Sequence, residues 1–501
     1  MTTTLNMVKT GKYANDKIIG VRHVQCILCF FCLSLAYAWR VNLSVALVAM
    51  TEPPNITEAN VTDDSQEETL DMDYYPFTES EKSYMLSSFF WGYIVTQVPG
   101  GYIAQRYGAK MLLMVGLVAC AILTLLTPLS LKLGGWQALC VVRVLEGLTQ
   151  GAVHPATHSL LSKWAPASER GMLATICYSG AQFGTIMMLA TSGFIADSFA
   201  GWPGIFYCGG ICGFAWVLFW WIFAASTPEE HTRITREELK YIEESRSVGK
   251  MQDARKMAPT PWGSIFTSMP FLSLLVVHCT HMWGFWTLLT QIPSYMKNIY
   301  GIDIKSSSLL SSLPYTVMMI LSFFFVWLSK VLQNQKSISL SFNRKFFNSV
   351  GHWIPMLSLI GLGYVPRESA TLAVVLLTLT VGISAATYLG FQVNHIDLSP
   401  NYAGTLMGIT NAAANVMSGL APLAVGQIVK HPENVSEWRT VFFVAAFFYF
   451  IGNLLFVVFG RTDIQWWDSP EPVDEESVEA GVPLATAAKD QQSGQIANDK
   501  P

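Results

Sequence analysis

Apolar windows at or above the ~18 residues that mark a membrane-spanning helix recur along this chain, among them 111–131, 205–225, 372–389 and 441–460. So many such windows cannot all be buried in a water-soluble core. They fit a bundle of helices in a bilayer, where each helix satisfies its own backbone hydrogen bonds. The composition agrees: 51% of the residues are hydrophobic and 13% charged, against roughly a quarter charged in soluble domains. The first apolar run, 18–50, is too long for the core of a signal peptide and lacks a small-residue cleavage site, so it reads as the first span. Nine cysteines all fall in apolar segments, which argues against a disulfide framework. Cys26, Cys29 and Cys32 share one helical face; small apolar packing residues are the favoured reading over a metal site.

Twelve helices are expected, near 18–50, 80–104, 109–131, 135–160, 170–196, 203–225, 265–297, 306–330, 346–365, 370–396, 402–430 and 438–460. The fold class is an all-α membrane protein of two six-helix bundles, 18–225 and 265–460. Between them, 226–264 is polar and helix-prone and reads as a linker, while 1–17 and 461–501 are polar ends, the latter acidic and expected to be disordered. A repeat supports the division: Gly171, Leu173, Ile176, Ala181, Gly193 and Ile195 of the fifth helix recur at the same spacing as Gly404, Leu406, Ile409, Ala414, Gly426 and Ile428 of the eleventh. Parallel repeats of this kind place a substrate site between the halves near the midplane.

Lys and Arg are biased toward the segments that are internal if both termini are cytoplasmic. The sequons at Asn55, Asn60 and Asn434 then fall in outer loops, the first two in the acidic loop 51–79, where glycans are added. The basic residues are scattered over loops and form no surface for nucleic acid.

Polar residues inside apolar helices carry the chemistry. In "RVLEGLTQGAVHPA", Arg143, Glu146, Gly147, Gln150, Gly151 and His154 stand at offsets 0, 3, 4, 7, 8 and 11 and form one helical stripe. A charge near the bilayer centre costs at least ~2.5–3.5 kcal/mol, so the stripe is expected to line an aqueous cavity. Arg143 then binds an anion and Glu146, with Gln150 and His154 nearby, couples a cation; alternatively Arg143 and Glu146 are a structural ion pair. Arg40 stands at depth in the first helix with Tyr37 and Ser44 on its face. Two guanidiniums would suit a carboxylate or phosphate, unless Arg40 snorkels to an interface. His281, Asn411 and Asn415 are further cavity or gate candidates, although Asn in membrane helices often joins helices only. His154 and His158 have the spacing of an iron-binding box, but the remaining histidines form no second box, which leaves too few ligands for a di-iron enzyme.

The segments "FFWGYIVTQVPGGYIAQRYGAK", "RVLEGLTQG", "SKWAPASERG" and "NHIDLSPNYAGTLMGITN" resemble the anion:cation symporter branch of the major facilitator superfamily, which contains phosphate cotransporters, sialin and vesicular glutamate transporters. The resemblance implies alternating access between two six-helix bundles. It also implies that Gly101, Arg106, Gly108 and Lys110 belong to a conformational clamp, that Arg40 and Arg143 are substrate-linked, and that Glu146 is coupling-linked. Gln105 replaces the clamp's usual acidic residue. Gln150 replaces sialin's second acidic residue, and Leu86 and His281 stand where glutamate transporters carry a His and an Arg. These departures favour a sodium-coupled transporter of inorganic phosphate or a related organic anion. A proton-coupled, sialin-like carrier of acidic sugars or amino acids is the alternative, and an anion channel or receptor the competitor from another class. No enzyme activity, cofactor or metal is expected. The expected partners are a small anion, sodium or a proton, and lipid. The protein is expected as a monomer in the plasma membrane.

Overall fold

The computed structural model describes residues 20–51, 74–166, 169–253, 260–333, 338–399 and 402–468. The N-terminal half consists of α1 (Val21–Met50), α2 (Glu79–Tyr107), α3 (Ala109–Gln150), α4 (Val153–Trp164), α5 (Arg170–Ala196) and α6 (Gly201–Phe223). The linker carries α7 (Arg236–Asp253). The C-terminal half follows with α8 (Trp262–Thr267), α9 (Met269–Tyr300), α10 (Ile304–Gln333), α11 (Leu340–Leu362), α12 (Ala370–Ile383), a 3-10 turn (Ser384–Leu389), α13 (Phe391–Leu398), α14 (Ala403–Ile428) and α15 (Val435–Phe459).

Among the described residues, eight helical stretches are long and apolar enough to cross a membrane. One of them, Ala109–Trp164, breaks at Gly134 and Gly135, where Gly135 takes φ +62° and the backbone leaves helical geometry. Glycine adopts that conformation without the steric penalty a Cβ carries, so "KLGGW" turns the third span into the fourth. Dividing that stretch and adding α2, α11 and α14, which are of similar length but more polar, is consistent with twelve spans.

Local chemistry sets the other boundaries. Thr78 and Glu81 form a reciprocal capping box at the start of α2. Ser339 caps α11 by accepting from the Phe342 amide at 3.1 Å. That helix therefore starts at Leu340, earlier than its apolar window, because the polar turn holding Arg344 is paired: Arg344 donates to Asp397 at 2.7 and 3.2 Å. The expected tenth helix, 370–396, is broken by the 3-10 turn into α12 and α13. At the chain's far end, residues 461–468 pack on the C-terminal half, contrary to a disordered tail from 461: Gln465 N donates to Leu398 O, Ser399 Oγ donates to Asp468, and Trp467 is buried near Tyr402. Residues 1–17, the sequons at Asn55 and Asn60, and 469–501 lie outside the described residues. Asn434 caps α15 by accepting from Ser436 N, and its amide donates to Glu437.

Within the N-terminal half α1 packs on α5 and α6, and α2 on α3; within the C-terminal half α9 packs on α14 and α15, and α11 on α12 and α15. The halves meet along α2 with α14, α5 with α10, and α1 with α9; α1 and α9 are equivalent helices of the two repeats, and the other two contacts are the crossed counterparts of each other. Polar contacts across this seam lie at mid-depth or at the Met50 end: Lys297 Nζ donates to Val48 O at 3.3 Å, Ser80 Oγ to Gly426 O at 3.3 Å, Ser87 Oγ to Gly419 O at 2.6 Å and Gln182 Nε2 to Tyr388 Oη at 2.9 Å.

The linker is tied to the opposite end of the N-terminal half. Glu238 of α7 accepts from the amides of Val21 and Arg22 at 3.0 and 3.1 Å, placing a carboxylate at the start of α1. Arg22 pairs with Glu238 at 3.0 Å and with Glu169 at 2.7 Å. The hydrogen bond from Arg22 holds the Glu169 carboxyl below its ordinary range, so its contribution is present above that range and fades as pH falls through the lowered value. Glu169→Gln is therefore expected to lower the melting temperature of purified protein slightly at pH ~7 and not at pH ~3; a difference independent of pH would contradict the pairing.

Candidate functional site

The polar stripe on α3 is placed by its glycines. A Cβ on Gly147 would run into the Phe89 carbonyl oxygen, one on Gly151 into the Thr96 hydroxyl, and one on Gly92 of α2 into the Val144 carbonyl. The two backbones touch, as small residues allow in membrane helices. Gly147→Val is expected to cost about 3 kcal/mol or more by overpacking, read as lost folded yield and a lower melting temperature in detergent.

That contact turns Arg143, Glu146 and Gln150 into the interior of the N-terminal half, where they are 1%, 0% and 0% exposed. The expectation that they line an aqueous cavity does not describe this state. Arg143 Nη1 donates to Glu146 Oε2 at 2.8 Å and to Trp39 O at 2.9 Å, and Nη2 donates to Arg40 O at 3.0 Å. Glu146 Oε1 also accepts from Thr124 at 2.9 Å. Arg143 is thus occupied by a carboxylate and by the backbone of α1. Its chemistry here is to neutralise Glu146 and to hold the backbone from which Arg40 projects. Gln150 donates to Cys120 Sγ at 3.2 Å.

Arg143 keeps one buried donor without a partner, Nε, and its Cζ lies 5.3 Å from the Phe89 ring; Arg40 differs in having rings and no carboxylate around it. Its Cζ lies over the rings of Tyr37 at 4.5 Å, Tyr93 at 4.6 Å, Phe89 at 5.0 Å and Trp286 at 5.8 Å. Its Nε and Nη2 are buried without a hydrogen-bond partner. Ring faces stabilise a desolvated cation by ~2 kcal/mol but do not satisfy N–H donors, whose burial unpaired is costly. Trp286 comes from α9, so this guanidinium sits on the seam between the halves with donors to spare for an oxyanion. It does not snorkel: it is 6% exposed.

Tyr37 links the cage to His154, with Oη 3.3 Å from Nε2. The His154 ring stacks on Tyr178, whose hydroxyl is 3.2 Å from His158 Nδ1. In the C-terminal half, His281 is buried among Phe285, His352, Phe391 and Tyr449. The Asn415 amide donates to Asn411 O on its own helix at 2.8 Å. The structure therefore does not bring His281, Asn411 and Asn415 into one polar cluster with the arginines.

Of the clamp residues, Gly101 approaches Pro155 of α4 and Gly108 takes φ +91° beside Ser226. The Lys110 amide donates to Ser226 Oγ at 3.2 Å and its Nζ to Trp221 O at 3.3 Å, both at the end of α6. The side chains of Gln105 and Arg106 lie outside the described ones. Sequence reasoning missed the aromatic cage and the Arg344–Asp397 pair. "FFWGY" carried the signal for Phe89 and Tyr93, since their spacing of four puts both rings on one helical face.

The Major Facilitator Superfamily model matches residues 26–422. The chain belongs to the major facilitator superfamily. It is a secondary transporter of that superfamily and not an enzyme. Among its relatives, a Drosophila ananassae protein named "Putative inorganic phosphate cotransporter" is 38% identical, over 89% of this chain and 94% of the relative. Human sialin is 36% identical, over 89% of this chain and 91% of its own length. Vesicular glutamate transporter 1 of Xenopus tropicalis is 34% identical, over 89% and 75%. The superfamily fold is repeated in a solved bacterial homolog of the human lysosomal transporter Spinster, with a TM-score of 0.67 at 15% identity, over 90% of this chain and 99% of that one.

Proposed function

We propose that this transporter carries a small anion, inorganic phosphate or a related organic anion, by sodium-coupled symport, with Arg40 as the anion's ligand. The observation that carries the reading is the buried guanidinium of Arg40 on the seam, with Nε and Nη2 unpartnered inside an aromatic cage. The planar fork offers two parallel donors to an oxyanion, and the names of relatives on both sides of the branch point to anions. With the N-terminus cytoplasmic, the Met50 end is external and the polar seam contacts there hold the external side shut, which makes this the inward-facing state. The clamp residues Gly101, Arg106, Gly108 and Lys110 act when the internal side closes, the plasma membrane is the site of action, and Asn55, Asn60 and Asn434 carry the glycans.

Labelled phosphate uptake into cells expressing the protein tests the reading, under an imposed sodium gradient and, separately, an imposed pH gradient. Sodium-driven accumulation is the expected result. A second reading, proton-coupled export of an organic acid, is favoured by one observation: Glu146 is a carboxylate sealed in the bundle beside Arg143. Absence of phosphate uptake with proton-driven efflux of an acidic sugar or amino acid would replace the first reading with the second.

A further inference from the structure

Four histidines that the anion site does not use cluster in the C-terminal half, three of them around one aromatic ring. The rings of His278, His281 and His352 lie 5.2, 5.3 and 6.0 Å from Phe391, and His395 lies 6.1 Å from His278. They come from α9, α11 and α13, and each is at most 2% exposed.

Their hydrogen bonds fix where the protons sit. His395 Nδ1 faces the Gln392 carbonyl at 3.2 Å, which only accepts, so Nδ1 carries hydrogen. In the neutral ring its Nε2 is then bare and accepts from the Thr410 hydroxyl at 2.8 Å. The Thr410 hydroxyl also reaches Met407 O at 3.3 Å, but a bare nitrogen and an oxygen 2.8 Å apart need a hydrogen between them, so its one proton lies toward His395 and Thr410 Oγ1 accepts from His278 Nδ1, 3.1 Å away. That leaves Nε2 of His278 bare. His352 follows the same logic: Nδ1 donates to Asn348 O at 2.9 Å, and its bare Nε2 is buried without a partner. His281, with ring centroid 5.2 Å from that of His352, also has a buried unpartnered nitrogen, Nδ1. A structural histidine cluster would be expected to satisfy its nitrogens. This one holds a directed relay and two open positions.

We propose that these four histidines form a proton-binding site of the C-terminal half, separate from the Arg143–Glu146 pair and from the anion ligand Arg40. A proton added to Nε2 of His278 is balanced within the relay: His278 passes its Nδ1 hydrogen to Thr410 Oγ1 as the hydroxyl's own hydrogen moves to Nε2 of His395. One proton is bound and no bond to substrate is made. Other titratable groups on the elements packed around the cluster include Cys279 of α9, Tyr315 of α10, Tyr388 of the 3-10 turn, Tyr449 of α15, whose ring is 5.6 Å from His352, Lys345 of α11, and the Arg344–Asp397 pair joining α11 to α13; Tyr295, Lys297 and Tyr300 of α9 and Glu437 and Arg439 of α15 stand toward the far ends of their helices. Thr410 is the contribution of α14. The site ties the helices that must rearrange within the C-terminal half, so its protonation makes the transport cycle sensitive to pH whichever cation drives it.

The test needs no knowledge of the substrate. Purified full-length protein labelled with ¹³C at the histidine ring Cε1 is titrated between pH ~5 and ~8, comparing wild type with Thr410→Val, which cuts the relay while keeping every imidazole, and with the double variant His281→Gln, His352→Gln. The expected result is a buried resonance that titrates in the wild type and shifts its midpoint in Thr410→Val. In the double variant, at least one titrating resonance disappears. If no cluster resonance titrates, or if the titrating signals are untouched by both changes, the proposal is overturned. Phosphate counterflow in proteoliposomes with equal pH on both sides supplies the functional readout: the wild-type rate should vary about threefold or more over this range and that of Thr410→Val less than about half as much. A flat wild-type profile would overturn the proposed consequence for transport. Failure of phosphate as substrate leaves the resonance test standing, so the two readings fail separately.

Discussion

Arg40→Ala is expected to lower anion uptake about 100-fold or more, because charge-assisted, bidentate hydrogen bonds are the strongest the site can offer and, of the two buried arginines, Arg40 alone has two adjacent donors without a partner. Arg40→Lys should recover only a minor part, since an ammonium cannot present two coplanar N–H groups to one oxyanion. The melting temperature of Arg40→Ala should stay near wild type or rise, because the change removes a buried cation whose Nε and Nη2 have no partner. Uptake and stability are thus predicted to move independently. A variant that loses both together would place Arg40 in the structural framework, and one that keeps uptake would remove it from the site.

Arg143→Ala is expected to do the reverse. It leaves the buried Glu146 carboxylate with Thr124 as its remaining neutral donor and releases the carbonyls of Trp39 and Arg40. Breaking a buried pair in this way costs ~3–5 kcal/mol, against a total stability of ~5–15 kcal/mol, so surface expression and melting temperature should fall sharply. The double change Arg143→Met, Glu146→Leu removes both charges and should restore most of the stability. Its uptake should remain impaired through a raised KM, since the backbone under Arg40 is no longer held. The decisive measurement is the melting temperature of Arg143→Ala and of the double variant beside wild type. If Arg143→Ala melts like wild type and only uptake is lost, Arg143 is an anion ligand and not the positioning residue described here.

The architecture was legible because bilayer physics constrains it strongly. Long apolar windows identify helices, and the repeat shared by the fifth and eleventh helices announces two related bundles. The boundaries that were missed are those where a polar turn belongs to a helix, as at Arg344, which stays in α11 because Asp397 neutralises it. The tail was misjudged for a similar reason: Trp467 anchors a polar stretch that composition alone assigns to disorder.

At the site, helical spacing correctly grouped Arg143, Glu146 and Gln150 on one stripe, yet spacing cannot say which side of the helix meets a cavity. That is decided by Gly147 and Gly151, whose contact with α2 turns the polar residues inward. For Arg40, the sequence showed a charge at depth with Tyr37 beside it, but Phe89, Tyr93 and Trp286 are brought around it by tertiary packing of α2 and α9. The four clustered histidines are spread along the chain from His278 to His395, so no local pattern joins them.

The central claim is that Arg40, and not Arg143, is the anion's ligand in this state. Equilibrium binding of labelled phosphate to purified wild-type protein, Arg40→Ala and the Arg143→Met, Glu146→Leu double variant tests it most directly. The account predicts saturable binding to wild type, weaker but measurable binding to the double variant, and no binding to Arg40→Ala that remains folded. Binding of phosphate to Arg40→Ala with wild-type affinity would contradict it.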